Sequence, residues 1–160
     1  MINLFSSLFA REPVVSEASG RDAAAIATLH SLSFARGWGE QEVEGLLIDR
    51  HVIAHRAMTA STMAGFILSR LVEDEAEILS VAVANARRGR GLARTLLNLH
   101  LRRLAGLGAR AVFLEVDEHN APAIRLYGRA GFHEISRRPN YYQDAGSKGA
   151  AALVLRRDLV

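Results

Sequence analysis

Apolar residues at Leu97, Leu101 and Leu104 recur at i, i+4 and i+7, flanked by Arg94, Arg102 and Arg103, and predict a one-faced helix over residues 91–107. Gly106 and Gly108 mark its end. Earlier in the chain, Ile26, Leu29 and Leu32 predict a helix over residues 21–34, and a second short helix follows over 40–49. Three strand-length runs, 51–58, 62–71 and 75–83, are separated by small or polar residues, with Glu73-Asp74 as a turn, and read as an antiparallel meander. A short strand at 14–17 precedes them. Residues 110–117 form a near-continuous apolar run and read as a buried strand. Asn120 is a ready N-cap for a helix that carries Pro122 in its first turn and closes at Gly131. Strands at 132–136 and 151–156, joined by a polar loop over 140–149, complete the pattern.

Composition narrows this picture without choosing a function. The 160 residues, 49% hydrophobic and 23% charged, suit one compact α/β domain over residues 14–160, preceded by a flexible or docking arm at 1–13. That arm is apolar at Ile2, Leu4, Phe5, Leu8 and Phe9, but it lacks a basic start and is shorter than a bilayer span. With no cysteine there is no disulfide, thiolate metal site or cysteine nucleophile, which fits a cytoplasmic location. A net charge of +3 suits an anionic ligand or a ribonucleoprotein neighbourhood, yet no Lys/Arg run with interleaved aromatics marks a nucleic-acid face.

The candidate chemistry begins at Arg87-Arg88-Gly89-Arg90-Gly91-Leu92-Ala93-Arg94, between a strand and the longest helix. Glycines there let backbone N–H groups converge at a helix N-terminus, and guanidinium groups add paired donors for phosphate oxygens. The alternative is an arginine-rich surface turn. Neither a Walker loop nor a Gly-x-Gly-x-x-Gly fingerprint is present. Glu115 is an acid in the middle of Ala111-Val112-Phe113-Leu114-Glu115-Val116, where burial would disfavour its charged form; the alternative is a carboxylate at an exposed strand end or paired with an arginine. Asn120 and Tyr127 lie seven residues apart on one helix, so they are expected to share a face, although Asn is also a common cap and Tyr a common core residue. The six histidines show no metal-ligand spacing, and no nucleophile elbow appears.

Arg88-Gly89-Arg90-Gly91-Leu92-Ala93 matches the Arg/Gln-x-x-Gly-x-Gly/Ala motif, and the chain resembles the GCN5-related N-acetyltransferases (GNAT superfamily). The downstream run Leu114-Glu115-Val116, Asn120 to Ile124, Leu126-Tyr127, Gly131-Phe132 and Asn140-Tyr141-Tyr142 resembles the RimI-type branch, which acetylates the N-terminal alanine of a small-subunit ribosomal protein. Good correspondence covers residues 75–143. The first 70 residues match in element order and near Trp38, where that branch often has Phe-Pro-Trp and this chain has Phe34-Ala35-Arg36-Gly37-Trp38.

The resemblance implies a mixed, mostly antiparallel sheet of six to seven strands, flanked by about four helices and splayed between the strands at 75–83 and 110–117. It implies acetyl-CoA as cosubstrate and no metal. The pyrophosphate would lie on Arg88, Gly89, Arg90, Gly91, Leu92, Ala93, Arg94 and Thr95, and the pantetheine arm against Val81, Ala82, Val83 and Asn120. Glu115 is implied as general base and Tyr127 as the acid for the departing thiolate. Trp38, Tyr141 and Tyr142 are weaker candidates for contact with a peptide N-terminus; packing under the loop is equally open for the tyrosines. A monomer or weak dimer, with no direct nucleic-acid or membrane partner, is expected. Three rivals stay open: an acetyltransferase for a small-molecule amine, a non-catalytic acyl-CoA-binding module, and a nucleic-acid binder using the arginines around residues 87–103.

Overall fold

The computed structural model describes residues 11–142 and 149–160. The apolar arm expected over residues 1–10, the Tyr142 side chain and loop residues 143–148 lie outside the described residues. Seven strands form one sheet in the order β1-β2-β3-β4-β5-β7-β6: β1 Val14–Glu17, β2 Val52–Thr59, β3 Thr62–Val72, β4 Glu75–Val83, β5 Ala111–Asp117, β6 His133–Tyr142 and β7 Ala150–Asp158. Four α-helices accompany them: α1 Ala23–Ser33, α2 Glu40–Ile48, α3 Leu92–Gly106 and α4 Ala121–Arg129. Every strand pair is antiparallel except β4 with β5.

That exception shapes the molecule. β4 and β5 pair only from Glu75↔Ala111 to Glu77↔Phe113, and beyond those residues they diverge. β5 stays paired with β7 along its whole length, so the opening lies wholly on its β4 side. A bulge accompanies the divergence: Leu68 faces Ser80 while Ser69 faces Ile78, leaving Leu79 as an extra residue in β4. Such an insertion bends a strand and flips its side-chain alternation. Ala76 and Ile78 before the bulge, and Val81 and Val83 after it, pack on the same side of the sheet.

Two apolar clusters hold the layers together. On one face Leu96, Leu97, Leu101 and Leu104 of α3 meet Ile67, Val112, Leu114 and Leu155 of the sheet, joined by Tyr127 and Phe132. On the other, Ile26 and Leu29 of α1 and Val43 of α2 meet Phe66, Leu68 and Ala82. Most buried polar side chains inside this frame are partnered, the Thr59 and Ser80 hydroxyls being the exceptions among the described residues. Asp22, buried at the head of α1, accepts from the Ser19 N–H and from an Arg56 guanidinium N–H, tying the helix to β2. Between α3 and the sheet, His100 Nδ1 meets His55 Nδ1 at 2.7 Å and His100 Nε2 meets Ser69 Oγ at 2.7 Å. One proton per contact satisfies this chain when both rings are neutral. Burial pushes the His100 imidazole down to about 3, and pushes His55 down as well.

The most visible departure from expectation is β6. It runs on through Tyr142 instead of ending near residue 136, so Tyr141 and Tyr142 lie on a strand and not in the expected polar loop. The reason is its edge position. Its residues from His133 to Tyr141 are exposed, so no apolar alternation announces the strand, and Pro139 is tolerated where one side of the backbone is free.

Candidate active site

The glycine loop joins β4 to the longest helix. After Val83 the chain makes a 3-10 turn at Asn85–Arg87 and enters α3 with Gly91 as N-cap. Gly89 and Gly91 both take φ of +78°, a region that L side chains rarely adopt, and no protein atom lies within 4 Å of where a Cβ would stand on either. The space before them is open. Arg88 folds back so that its Nε donates to the Val83 carbonyl at 3.1 Å, fixing the loop to the end of β4.

A concavity of about 480 Å³ opens there. Its wall includes the guanidinium-bearing residues Arg87, Arg88 and Arg94 on one side and Arg125 and Arg129 of α4 on the other, with Gly89 and Gly91 between. The N-terminal end of α3, with its positive dipole end, and five arginines form a donor set that could hold a multiply charged phosphate ligand. Among the residues expected here, Val83, Arg88, Gly89, Gly91, Leu92, Ala93 and Arg94 line the concavity. Arg90 and Thr95 line a separate cleft of about 110 Å³ beside Glu12 and Pro13, and the Thr95 hydroxyl donates to the Gly91 carbonyl. The α4 contribution escaped sequence reasoning. Pro122, Arg125, Leu126 and Arg129 stand at i, i+3, i+4 and i+7, a one-faced helical spacing present in the chain.

Val81, Ala82 and Val83 pair with Ile67, Phe66 and Gly65 of β3, so the other edge of this stretch faces the opening toward β5. An extended amide-bearing chain laid there would meet unpaired strand edge, as an added strand does. Across the opening stands Glu115. β5 alternates: Val112, Leu114 and Val116 are buried under α3 and α4, whereas Phe113, Glu115 and Asp117 are only partly covered on the other face. Reading the run as wholly buried missed this period of two. The Glu115 side chain is 26% exposed and its Oε1 takes an ion pair from Arg138 Nη2 at 3.1 Å, the arginine-paired arrangement.

Tyr127 lies on the opposite face of the sheet from Glu115. It is buried, edge-on to Phe132 at 5.7 Å between centroids, and burial pushes its phenol up to about 12. Asn120 does not share its face. It is the N-cap of α4, exposed, with Oδ1 accepting from the Ala123 N–H at 3.2 Å, and a cap lies outside the helical phase that sequence spacing assumes. Trp38 sits on the Glu115 side of the sheet, packed against the cluster that contains Ala82. Its ring stacks on His30 at 4.1 Å, and the Trp38 backbone N–H donates to His30 Nδ1 at 3.1 Å. Burial pushes His30 down, which keeps that acceptor nitrogen bare. Among the described residues no group of three His, Asp or Glu side chains could hold a metal, and no helix is long and apolar enough to cross a membrane.

Comparison with known proteins converges on one group. Residues 23–132 match the model of the acetyltransferase (GNAT) family. The chain is 34% identical over 143 residues to the [ribosomal protein bS18]-alanine N-acetyltransferase of Salmonella typhimurium, covering 88% of this chain and 95% of that one. It is 42% identical over 106 residues to an uncharacterised Mycobacterium leprae protein, but spans only 28% of that protein's length. The crystal structure of the ribosomal-protein-S18-alanine N-acetyltransferase from Escherichia coli superposes with a TM-score of 0.85 at 26% identity, over 92% of this chain and 94% of that one.

Proposed function

The chain belongs to the acetyltransferase (GNAT) family, and from that membership we propose that it moves the acetyl group of acetyl-CoA onto the N-terminal α-amine of a protein. Its acceptor is the alanine end of a small-subunit ribosomal protein. The observation that carries this reading is the opening between β4 and β5: a basic concavity at its mouth, free strand edge along one lip, and one carboxylate on the other.

In this reading the arginines and loop amides hold the pyrophosphate, and the edge at Val81 to Val83 receives the pantetheine amides. The thioester then rests between Glu115 on one face of the sheet and Tyr127 on the other. An N-terminal amine has a pKa near ~8, so at neutral pH it must shed a proton before it can attack. Glu115 takes that proton, directly or through one water. The amine nitrogen bonds to the carbonyl carbon, N–H groups of β4 stabilise the oxyanion, and the C–S bond breaks. Tyr127 donates its hydroxyl hydrogen to the leaving sulfur. A phenol at about 12 is fully protonated at physiological pH and so always available for this. The name of the Salmonella relative supports the alanine acceptor. Trp38, Tyr141 and Tyr142 are the residues we assign to the acceptor's walls.

Incubation with labelled acetyl-CoA and a panel of peptides tests the proposal. Label should reach peptides that begin with alanine and spare the same peptides with a blocked N-terminus. Transfer to small amines but to no peptide would overturn the acceptor, and tight cofactor binding with no transfer at all would overturn the enzyme. The loop has its own test. Gly91→Ala puts a side chain on a backbone at φ +78°, a conformation costing about 1–2 kcal/mol. The loop relaxes and its N–H groups no longer converge, so the acetyl-CoA Kd should weaken about tenfold. Calorimetric titration giving an unchanged Kd would show that these amides do not bind phosphate.

A further inference from the structure

Arg138 reaches Glu115 from two strands away. β7 lies between β5 and β6, with Ala152 opposite both Arg138 and Asp117, and Val154 opposite both Glu115 and Ser136. Neighbouring strands are about 4.8 Å apart, so a contact across two intervals needs a long side chain passing over a small one. Arg138 and Ala152 supply that pair. The end of β6 is shaped around this reach. Between Arg138 and Tyr142, four steps on β6 match the two steps from Ala152 to Ala150 on β7, a local bulge. Asn140 within it takes φ of +56°, and Gly149 packs so closely that a Cβ there would stand 2.9 Å from the Asn140 Cα. The bulge turns Tyr141 back toward the arginine, whose guanidinium carbon lies 5.6 Å from the ring centroid. Bulges beside active sites commonly re-aim a side chain in this way.

We propose that Arg138 is a positioning residue for the transfer reaction: it pins Oε1 of Glu115 and so leaves the second carboxylate oxygen directed to the acceptor amine. The inference rests on the assignment of Glu115 as base. Exposure of the pair fits the role. With 59% of the Arg138 side chain open to solvent, the ion pair contributes little to folding, so its geometry is free to serve the carboxylate. Pairing also spares Glu115 from standing alone in the opening before the acceptor arrives.

The test is a double-mutant cycle with steady-state kinetics on an alanine-initiated peptide. Arg138→Gln should lower kcat about tenfold while the KM for acetyl-CoA and the melting temperature stay unchanged. Arg138→Lys, which keeps the charge and most of the reach, should recover to within about threefold of wild type. Placed in a Glu115→Gln background, Arg138→Gln should cost nothing more, because the group it orients has lost its function. Wild-type kcat in the single Arg138→Gln variant, or a full tenfold loss repeated in the Glu115→Gln background, would overturn the proposal. If Glu115→Gln is inactive and Arg138→Gln is silent, Arg138 alone is misassigned. If Glu115→Gln itself turns over at the wild-type rate, the base assignment and this one fall together.

Discussion

Glu115→Gln is expected to lower kcat by about 10²-fold or more, with the acetyl-CoA Kd unchanged, because a positioned general base is worth roughly 10²–10⁴ in rate. The substitution keeps the volume of the side chain and its oxygen toward Arg138, and removes only the ability to take a proton. Glu115 is absent from the lining of the basic concavity at the head of α3, so binding there has no reason to change. Rapid-quench single turnover separates the chemical step from product release and is the measurement of choice. Since the acceptor amine loses its proton spontaneously above its own pKa, the deficit should shrink at high pH, where neutral amine is already abundant. Wild-type turnover in the variant at neutral pH would refute the assignment.

The second large effect concerns stability. His100 is neutral in the folded protein down to about pH 3, whereas in the unfolded chain it takes up a proton below about 6.5. The unfolded state therefore binds more protons throughout that interval, and folding stability falls as the pH drops through it. The contribution is fully present above 6.5 and is lost progressively toward 3. By the linkage relation the loss from this ring alone approaches about 5 kcal/mol at the bottom of the window, comparable with the whole stability of many domains. His55 and His30, also pushed down by burial, act in the same direction. Asp49, held low by the His51 backbone N–H, contributes stability that disappears only at more acid pH, as its carboxylate protonates. Urea midpoints should consequently decline steeply between pH 6.5 and 4, before most carboxylates titrate. Midpoints that stay level over that range would rule out the buried histidine chain as the cause of acid sensitivity.

How much of this could be read from the chain depended on whether the information was local. The leucine period of α3, the capping residues of α4 and the apolar run of β5 each sit within one element, and they placed the long helix, the shorter one and this strand where the structure has them. The divergence of β4 from β5 came with the family resemblance, and the short register at Glu75 to Glu77 bears it out. Other features were beyond local reading. The ion pair of Glu115 with Arg138 joins residues on β5 and β6 across β7, and no spacing along the sequence encodes it. The same holds for His55 and His100, on β2 and α3, which as sequence were two histidines without a partner. The arginines of α4 differ: Arg125 and Arg129 stand four apart on one helical face, a local signal that the cap at Asn120 and the buried Tyr127 overshadow.

The bulged end of β6 has a consequence for how the molecule behaves among its neighbours. A ten-residue strand at the rim of a sheet offers a row of backbone groups on which a second chain can grow. Here Pro139 withholds one donor, two adjacent arginines surround the row with charge, and the irregular backbone near Asn140 breaks its straightness. The feature that aims a guanidinium at the carboxylate thus also guards this rim against fibre-like stacking. Mutations that straighten it in search of a tidier strand would invite precipitation as well as idle catalysis.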